Sequence, residues 1–260
     1  MQRNEEEAMA YRVQQWPTVL IAALVVLVWF PALSQGEPVT LDATVRGWYV
    51  MPGGSPNAFA NGAAAGNNYF VGHPPDMVFG NSSFRNWFGF DLASLSGTVS
   101  SATLLLTNPP GGFNSVDQFE QYTIFDVTSS FASLGLPDLL VYSDLGSGTA
   151  YGSYTASIAD NASVVEISLN AAAVGAIQAL LGSQFALGGA ITTLDGLELG
   201  RPQSLFGASA GSVTQLRLEL DPAAVPEPST LVMLSTGTIA ALVRRKKVIG
   251  FYRRISNYLS

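Results

Sequence analysis

The sequence predicts an all-β fold, a β-sandwich or jelly roll, on three observations. Strand-sized runs recur about every 10 to 20 residues, with Gly, Pro, Asn or Ser between them. Apolar and polar residues alternate strictly over Val39 to Arg46 and again over Gln215 to Leu220. Between these limits only one stretch, Ala171 to Leu181, has the composition of a helix.

The first strand is Val39 to Arg46, half-buried by its alternation. Residues Pro52 to Gly72 hold five glycines and four asparagines among few large aliphatics, which predicts a long exposed loop with a short strand at Asn68 to Val71. Aromatic-rich Phe84 to Asp91 is the next strand, and Leu92 to Gly97 turns the chain. Val99 to Thr107 follows and stops at Asn108-Pro109-Pro110-Gly111-Gly112. Further strands are expected at Gln121 to Val127, Asp138 to Tyr142, Tyr151 to Ile158 and Ser163 to Leu169. Asn170 is a good N-cap and Gly182 a good left-handed C-terminal stop, so Ala171 to Leu181 forms one short helix that plugs an open end or edge of the sandwich. Its apolar face is Val174, Ile177, Ala179, Leu180 and Leu181. Strands resume at Phe185 to Leu194, Ser204 to Ala208 and Val213 to Leu220, the last with Leu216, Leu218 and Leu220 facing inward.

The run Phe88-Gly89-Phe90-Asp91-Leu92, then Ser101-Ala102-Thr103-Leu104-Leu105-Leu106, resembles jelly-roll modules of the carbohydrate-binding type. That resemblance covers about twenty residues and bears on fold more than on ligand.

Both ends of the chain have a different character. Val19 to Phe30 is an unbroken apolar run ended by Pro31, with small residues Ala32 and Ser34 at the −3 and −1 positions of a cleavage site before Gln35. Residues 1–34 therefore read as a secretory signal peptide. Glu5-Glu6-Glu7 give its leading segment the wrong sign. The start is Met1 or Met9, and a start at Met9 leaves Arg12 as the only charge before the apolar run. The uncleaved alternative is an N-terminal anchor.

Residues 222–260 form a linker and a membrane segment. Pro226-Glu227-Pro228 is extended, because two prolines fix φ and remove backbone donors. The apolar span 231–243 would cover about 20 Å as a helix, short of the roughly 30 Å of hydrocarbon that a permanent anchor crosses. Arg244, Arg245, Lys246 and Lys247 are a stop-transfer cluster, followed by the tail 248–260. From Glu37 to Glu227 ten Asp and six Glu face four Arg, a net charge of −12. From Pro228 to Ser260 there are six basic residues and no acidic one. This asymmetry places an acidic domain, 37–221, outside the membrane and the basic end inside.

The order Pro226-Glu227-Pro228, apolar span, basic cluster resembles the PEP-CTERM sorting signal of bacterial exported proteins. The resemblance covers Val225 to Lys247, and the tail after Lys247 is longer than the family pattern. It implies processing near Pro226-Glu227-Pro228 by an exosortase-type membrane enzyme and transient anchoring in the inner membrane. It also implies release to the cell surface or matrix of a Gram-negative bacterium, in association with exopolysaccharide. A permanently tethered surface protein is the alternative.

Composition narrows the chemistry. With no Cys and a single histidine, His73, thiol catalysis and His-rich zinc sites are excluded. A serine triad would have to use His73 as its base, and His73 before Pro74-Pro75 reads as a solvated loop residue. An acidic domain without lysine is a poor partner for nucleic acid. The expectation is therefore a non-enzymatic structural or carbohydrate-binding module. The alternative, a polysaccharide-acting glycosidase or lyase, would need a carboxylate pair, with Asp91, Asp126, Asp144 and Asp195 near strand ends. No cofactor is expected. Calcium is the metal that acidic loops suit, but no Asp-x-Asp-x-Asp-Gly loop is present, and Asp76, Asp91 and Asp117 are compositional candidates without an assigned site. Trp48, Tyr49, Tyr69, Phe70, Trp87 and Tyr154 could stack on sugars. Tyr69, expected to be exposed in the Gly/Asn loop, and Trp87 are the ligand-binding candidates.

Overall fold

Consecutive residues near the start of the domain bond to two different sheets. Ala43 N–H donates to Thr214 O and Thr44 N–H to Gly89 O, each at 2.9 Å. The predicted strand Val39 to Arg46 is thus two strands, β1 (Pro38–Asp42) and β2 (Val45–Met51), one in each layer of a sandwich. The computed structural model describes residues 38–53, 55–74, 81–196, 198 and 200–221. The signal peptide, the sorting segment and Asp76 lie outside them.

The other strands are β3 (Phe59–Ala60), β4 (Val71–His73), β5 (Ser83–Asp91), β6 (Thr98–Asn108), β7 (Asn114–Ser115), β8 (Phe119–Asp126), β9 (Ala150–Ser157), β10 (Ser163–Leu169), β11 (Gln184–Ile191), β12 (Gln203–Leu205) and β13 (Thr214–Asp221). One sheet has the order β1-β13-β6-β10. The larger sheet runs β7-β12-β4-β5-β11-β8-β9, with β2 pairing β5 and β3 pairing β2. All the strand pairings described are antiparallel. The chain is an all-β sandwich, as its alternation predicts.

The main core lies between the sheets. Leu104, Leu106, Ile167, Leu216 and Leu218 of the small sheet meet Phe88, Phe90, Tyr122, Ile124 and Leu187 of the large one. Leu220, past a register shift in β13, is only partly buried. An aromatic group fills the middle of this core. Tyr69 lies with its ring 5.4 Å from both Phe88 and Phe206, and Tyr122 lies 5.3 Å from Phe206. Such tilted and edge-to-face contacts add to the area they bury.

The outer face of the large sheet is also covered. Tyr49 and Trp87 pack there against Leu134, Val141, Tyr142 and Leu145, which come from the segment after β8. That segment holds a 3-10 turn (Phe131–Ser133) and a helix, α1 (Leu139–Asp144). Here the structure departs from the predicted strand Asp138 to Tyr142. Asp138 accepts from Leu140 N–H as an N-cap, and Arg85 donates to the carbonyls of Tyr142 and Ser143 at 2.9 Å each. Arg85 also lies 4.4 Å from the Tyr142 ring centroid. Tertiary partners at both ends make a helix of a run too short to declare its period.

The predicted helix forms as α2 (Ala171–Ala179), capped by Asn170 through Ala172 N–H and Ala173 N–H. Gly182 takes φ +83°, the left-handed stop expected of it. Ala173 and Ile177 are its buried residues, while Leu180 remains exposed at its end. The Gln178 amide ties α2 to the start of β6, accepting from Val99 N–H and donating to Gly97 O.

The segment 52–72 is less open than its composition suggests. Its Asn side chains bond the loop to itself, Asn67 donating to Gly62 O and Asn61 to Asn68 O, and its last part enters the sheet as β4.

Candidate functional site

Two features stand out on this scaffold, at opposite ends of β8. The first is a half-open cavity of about 220 Å³ where the end of α2, the start of β11 and the segment after β8 meet. Phe131, Tyr151, Leu180 and Phe185 supply apolar walls, and Ser129 and Gln184 supply polar groups. Burial, and then the charge of nearby Asp126, hold the Tyr151 phenol above its ordinary pKa, so it is a neutral hydroxyl at physiological pH. The volume is below the roughly 300–1,000 Å³ of sites that enclose drug-sized ligands, so one ring-sized group fits.

The second feature is a nest of polar groups at the start of β8. Gln203, on β12, is 1% exposed, and its Nε2 donates to Asp117 Oδ2 and to Asp195 Oδ1, each at 2.7 Å. Its Oε1 is buried without a hydrogen-bond partner. Beside it Glu120, also 1% exposed, accepts from the hydroxyls of Ser115 and Thr193. Three carboxylates thus share a neighbourhood whose contacts to them are all neutral donors. Among the described residues, no three acidic or imidazole groups converge tightly enough to hold a metal by themselves.

The residues singled out by sequence lie mostly elsewhere. Tyr69 is fully buried rather than exposed. Its hydroxyl donates to Thr107 O at 2.6 Å, so its ring is core and offers no face to a sugar. Trp87 is likewise fully buried, facing the outer layer because alternate residues of β5 serve two cores. Tyr49 is buried too, while Trp48, Phe70 and Tyr154 are half-buried. His73 is not solvated. It is fully buried in β4, with Nδ1 2.8 Å from Ser82 O and Nε2 2.9 Å from Glu198 O.

Three of the four predicted carboxylates accept from backbone N–H groups. Asp91 accepts from Ala93 N–H, Asp126 from Thr149 N–H, and Asp144 from Thr128 N–H and Ser129 N–H. Burial raises the Asp144 pKa, but the hydrogen bonds from Ser129 and Thr128 outweigh it and leave the group below its ordinary value. Asp195 and Asp117 do come together, through Gln203. Gln203 and Glu120 carry no motif. Gln203 meets Asp117 across 86 residues of sequence, which no local pattern announces.

No described helix is long and apolar enough to cross a membrane, and the apolar span 231–243 lies outside the described residues. Comparison with curated proteins finds no match to the chain. Residues 224–247 match the PEP-CTERM protein-sorting motif, a stretch that includes Pro226, Glu227, Pro228 and the cations Arg244 to Lys247. The β-sandwich is therefore the cargo of a PEP-CTERM sorting signal, and the chain is an exported protein handled by an exosortase at the membrane.

Proposed function

We propose that the delivered domain is a non-catalytic module of the cell surface or extracellular matrix that binds extracellular polysaccharide. The sorting motif at 224–247 supports this reading, since it marks an acidic, cysteine-free sandwich for export. The cavity beside α2 supplies the binding surface. Phe131 offers a ring face, and Ser129, Gln184 and the Tyr151 hydroxyl offer hydrogen bonds to one sugar unit. Retention of the purified full chain on native exopolysaccharide tests this. Wild type is expected to be retained, and Phe131→Ala and Gln184→Ala each to weaken retention several-fold. Equal retention of all three proteins would remove the cavity from the function.

One observation favours the enzymatic alternative. Asp117 and Asp195 touch the same Gln203 nitrogen, close enough for a glycosidase pair. However, the pair sits beside the Glu120 end of β8 and the cavity beside Asp126, about 20 Å apart at the rise of a strand. Release of reducing sugar from the polysaccharide, abolished in Asp195→Asn, would establish catalysis.

A further inference from the structure

We propose that the cavity beside α2 is an acetamido pocket, holding the N-acetyl group of one hexosamine unit of a polysaccharide. The inference rests on the reading of the domain as a polysaccharide-binding module and names the sugar class the cavity accepts. It starts from the Tyr151 hydroxyl. Tyr151, on β9, is 7% exposed and lines the cavity. The other described tyrosines commit their hydroxyls. Tyr49 donates to Leu136 O, Tyr69 to Thr107 O, Tyr122 to Asn86 Oδ1 and Tyr154 to Asp160 Oδ1, while Tyr142 bonds with Ser83 Oγ. Only burial and the Asp126 charge act on the Tyr151 hydroxyl, and no hydrogen bond from a described residue reaches it. Nor is its oxygen sealed in the interior as Trp87 Nε1, Asn108 Oδ1 and Gln203 Oε1 are, so it opens onto the space that the residue lines.

A neutral phenol without a partner is a donor in want of an acceptor. The walls around it are apolar: Ala176 and Leu180 at the end of α2, and Phe185 on β11. The group that completes the site therefore carries a hydrogen-bond acceptor and an apolar part side by side. A ring hydroxyl supplies the acceptor but leaves those walls uncovered. An acetamido group supplies both. Its carbonyl accepts from the Tyr151 hydroxyl, and its methyl lies against Ala176, Leu180 and Phe185. Its N–H finds an acceptor in Ser129 Oγ or Gln184 Oε1, the polar groups of the cavity. An O-acetyl ester has the same carbonyl and methyl but no N–H for those oxygens.

Charge excludes the acidic sugars. Among the described residues, no charged side chain lines the cavity, and carboxylates surround it. Asp126 acts on Tyr151, Asp144 accepts from Ser129 N–H, and Asp91 lies opposite Gln184 in the pairing of β5 with β11. All four arginines of the domain are committed elsewhere. Arg46 is in the core, Arg85 bonds the carbonyls of Tyr142 and Ser143, Arg201 pairs with Glu198 and Arg217 with Glu166. A uronate, or a sulfate or phosphate ester, would meet like charges here with no cation to offset them. An acetamido group brings no charge.

Size and shape agree. A half-open space of about 220 Å³ admits one substituent and part of the ring that bears it, while the rest of the polymer stays outside. Phe131, half-buried in the wall, is placed to cover the pyranose face. The pocket thus reads a side group rather than a chain end, and internal units of a polysaccharide satisfy it as well as terminal ones.

The test is calorimetric titration of the full chain, purified in detergent, with three probes. These are the β-1,4 tetramer of N-acetylglucosamine, cellotetraose, which has the same backbone with a hydroxyl in place of each acetamido group, and the tetramer of galacturonic acid. The acetylated tetramer is expected to bind at least about tenfold more tightly than cellotetraose, and the galacturonate tetramer more weakly than either. Tyr151→Phe keeps the ring and removes a hydroxyl that has no partner among the described residues, so its Tm is expected to equal that of wild type. Its affinity for the acetylated tetramer is expected to fall about three- to tenfold, with cellotetraose unaffected. Equal affinity of wild type for the acetylated tetramer and cellotetraose, or unchanged affinity in Tyr151→Phe, would overturn the acetamido pocket. So would a lower Tm in Tyr151→Phe, which would mean that the hydroxyl is satisfied within the fold. Retention on native exopolysaccharide without binding of the acetylated tetramer would overturn this inference and leave the polysaccharide reading standing; failure of both would remove both.

Discussion

Arg46 lays its guanidinium 4.8 Å from the centroid of the Tyr69 ring, and both side chains are buried. Its Nε donates to Asn67 O, and its Nη1 to Ser212 O and Thr214 Oγ1. One side chain of β2 therefore fixes the Gly/Asn loop and the entry to β13 at once. Every one of these acceptors is neutral. Burial pulls the guanidinium below its ordinary pKa, opposed by the electrostatic influence of Tyr69, yet a group that starts above 12 stays charged.

Arg46→Ala is expected to lower stability by on the order of 4 kcal/mol, because it strands buried acceptors and opens a void beside Tyr69. Arg46→Lys should recover less than half of that loss, since an ammonium cannot bond acceptors in two directions while lying flat on a ring. Chemical denaturation of the three proteins reads this directly. Equal stability of the lysine variant and wild type would show that charge alone matters at this site.

Gly188 and Gly189 let two layers approach β11 from opposite faces. A Cβ at Gly188 would lie 2.7 Å from the backbone of Leu145, next to α1. A Cβ at Gly189 would lie 2.1 Å from the Tyr122 hydroxyl and 2.3 Å from Asn86 Oδ1, the two ends of a 2.7 Å hydrogen bond in the main core. Gly188→Ala is expected to loosen the outer layer by roughly 1–3 kcal/mol, with faster hydrogen exchange confined to α1 and the segment before it. Gly189→Ala should speed exchange across β5, β8 and β11 together. The same exchange pattern from both variants would mean that the layers do not move independently.

The Tyr154 hydroxyl donates to Asp160 Oδ1 at 2.6 Å. Burial, then this hydrogen bond and the carboxylate charge, raise the phenol pKa to about 12. The folded value lies above the ordinary one of about 10, so the stabilising contribution is complete below pH 10 and disappears as pH rises through 12. Phenolate absorbance of wild type minus that of Tyr154→Phe isolates this one tyrosine. Its midpoint is expected near 12, and lower in Asp160→Asn, where the acceptor charge is gone. An unmoved midpoint in Asp160→Asn would assign the whole shift to burial.

The sheets were legible in the sequence where one face is buried and the other is wet. Ser163–Leu169 forms over the residues its alternation marks, and Leu216 and Leu218 face the core as their spacing requires. Legibility failed where both faces are covered. In β5 the residues Trp87, Phe88, Gly89 and Phe90 are all buried, alternately in two cores, so aromatic content could not separate a platform from packing. Tyr69 was misread for a related reason. Glycines and asparagines mark the loop as polar, but Arg46, 23 positions earlier, draws it inward. The Asp117–Gln203–Asp195 nest could not be read at all, because its members meet only when three segments fold together.

The sorting segment offers the sharpest test of the address. Glu227 is the only charged residue from 222 to 243, with a proline on each side and the apolar span after it. An enzyme that acts there has one charge and two fixed φ angles to recognise. Glu227→Gln keeps the size and both flanking prolines and removes the charge. It is expected to leave the chain unprocessed, with intact mass including the segment through Ser260 and retention in the membrane fraction. Wild type in cells lacking the exosortase should give the same mass. Replacing Arg244, Arg245, Lys246 and Lys247 by Gln tests a different step, since it removes the stop-transfer charge and leaves Pro226-Glu227-Pro228 unchanged. That variant is expected to lose membrane retention before processing, so uncut chain appears outside the cell. Normal processing of Glu227→Gln would place recognition in the apolar span rather than in Pro226-Glu227-Pro228.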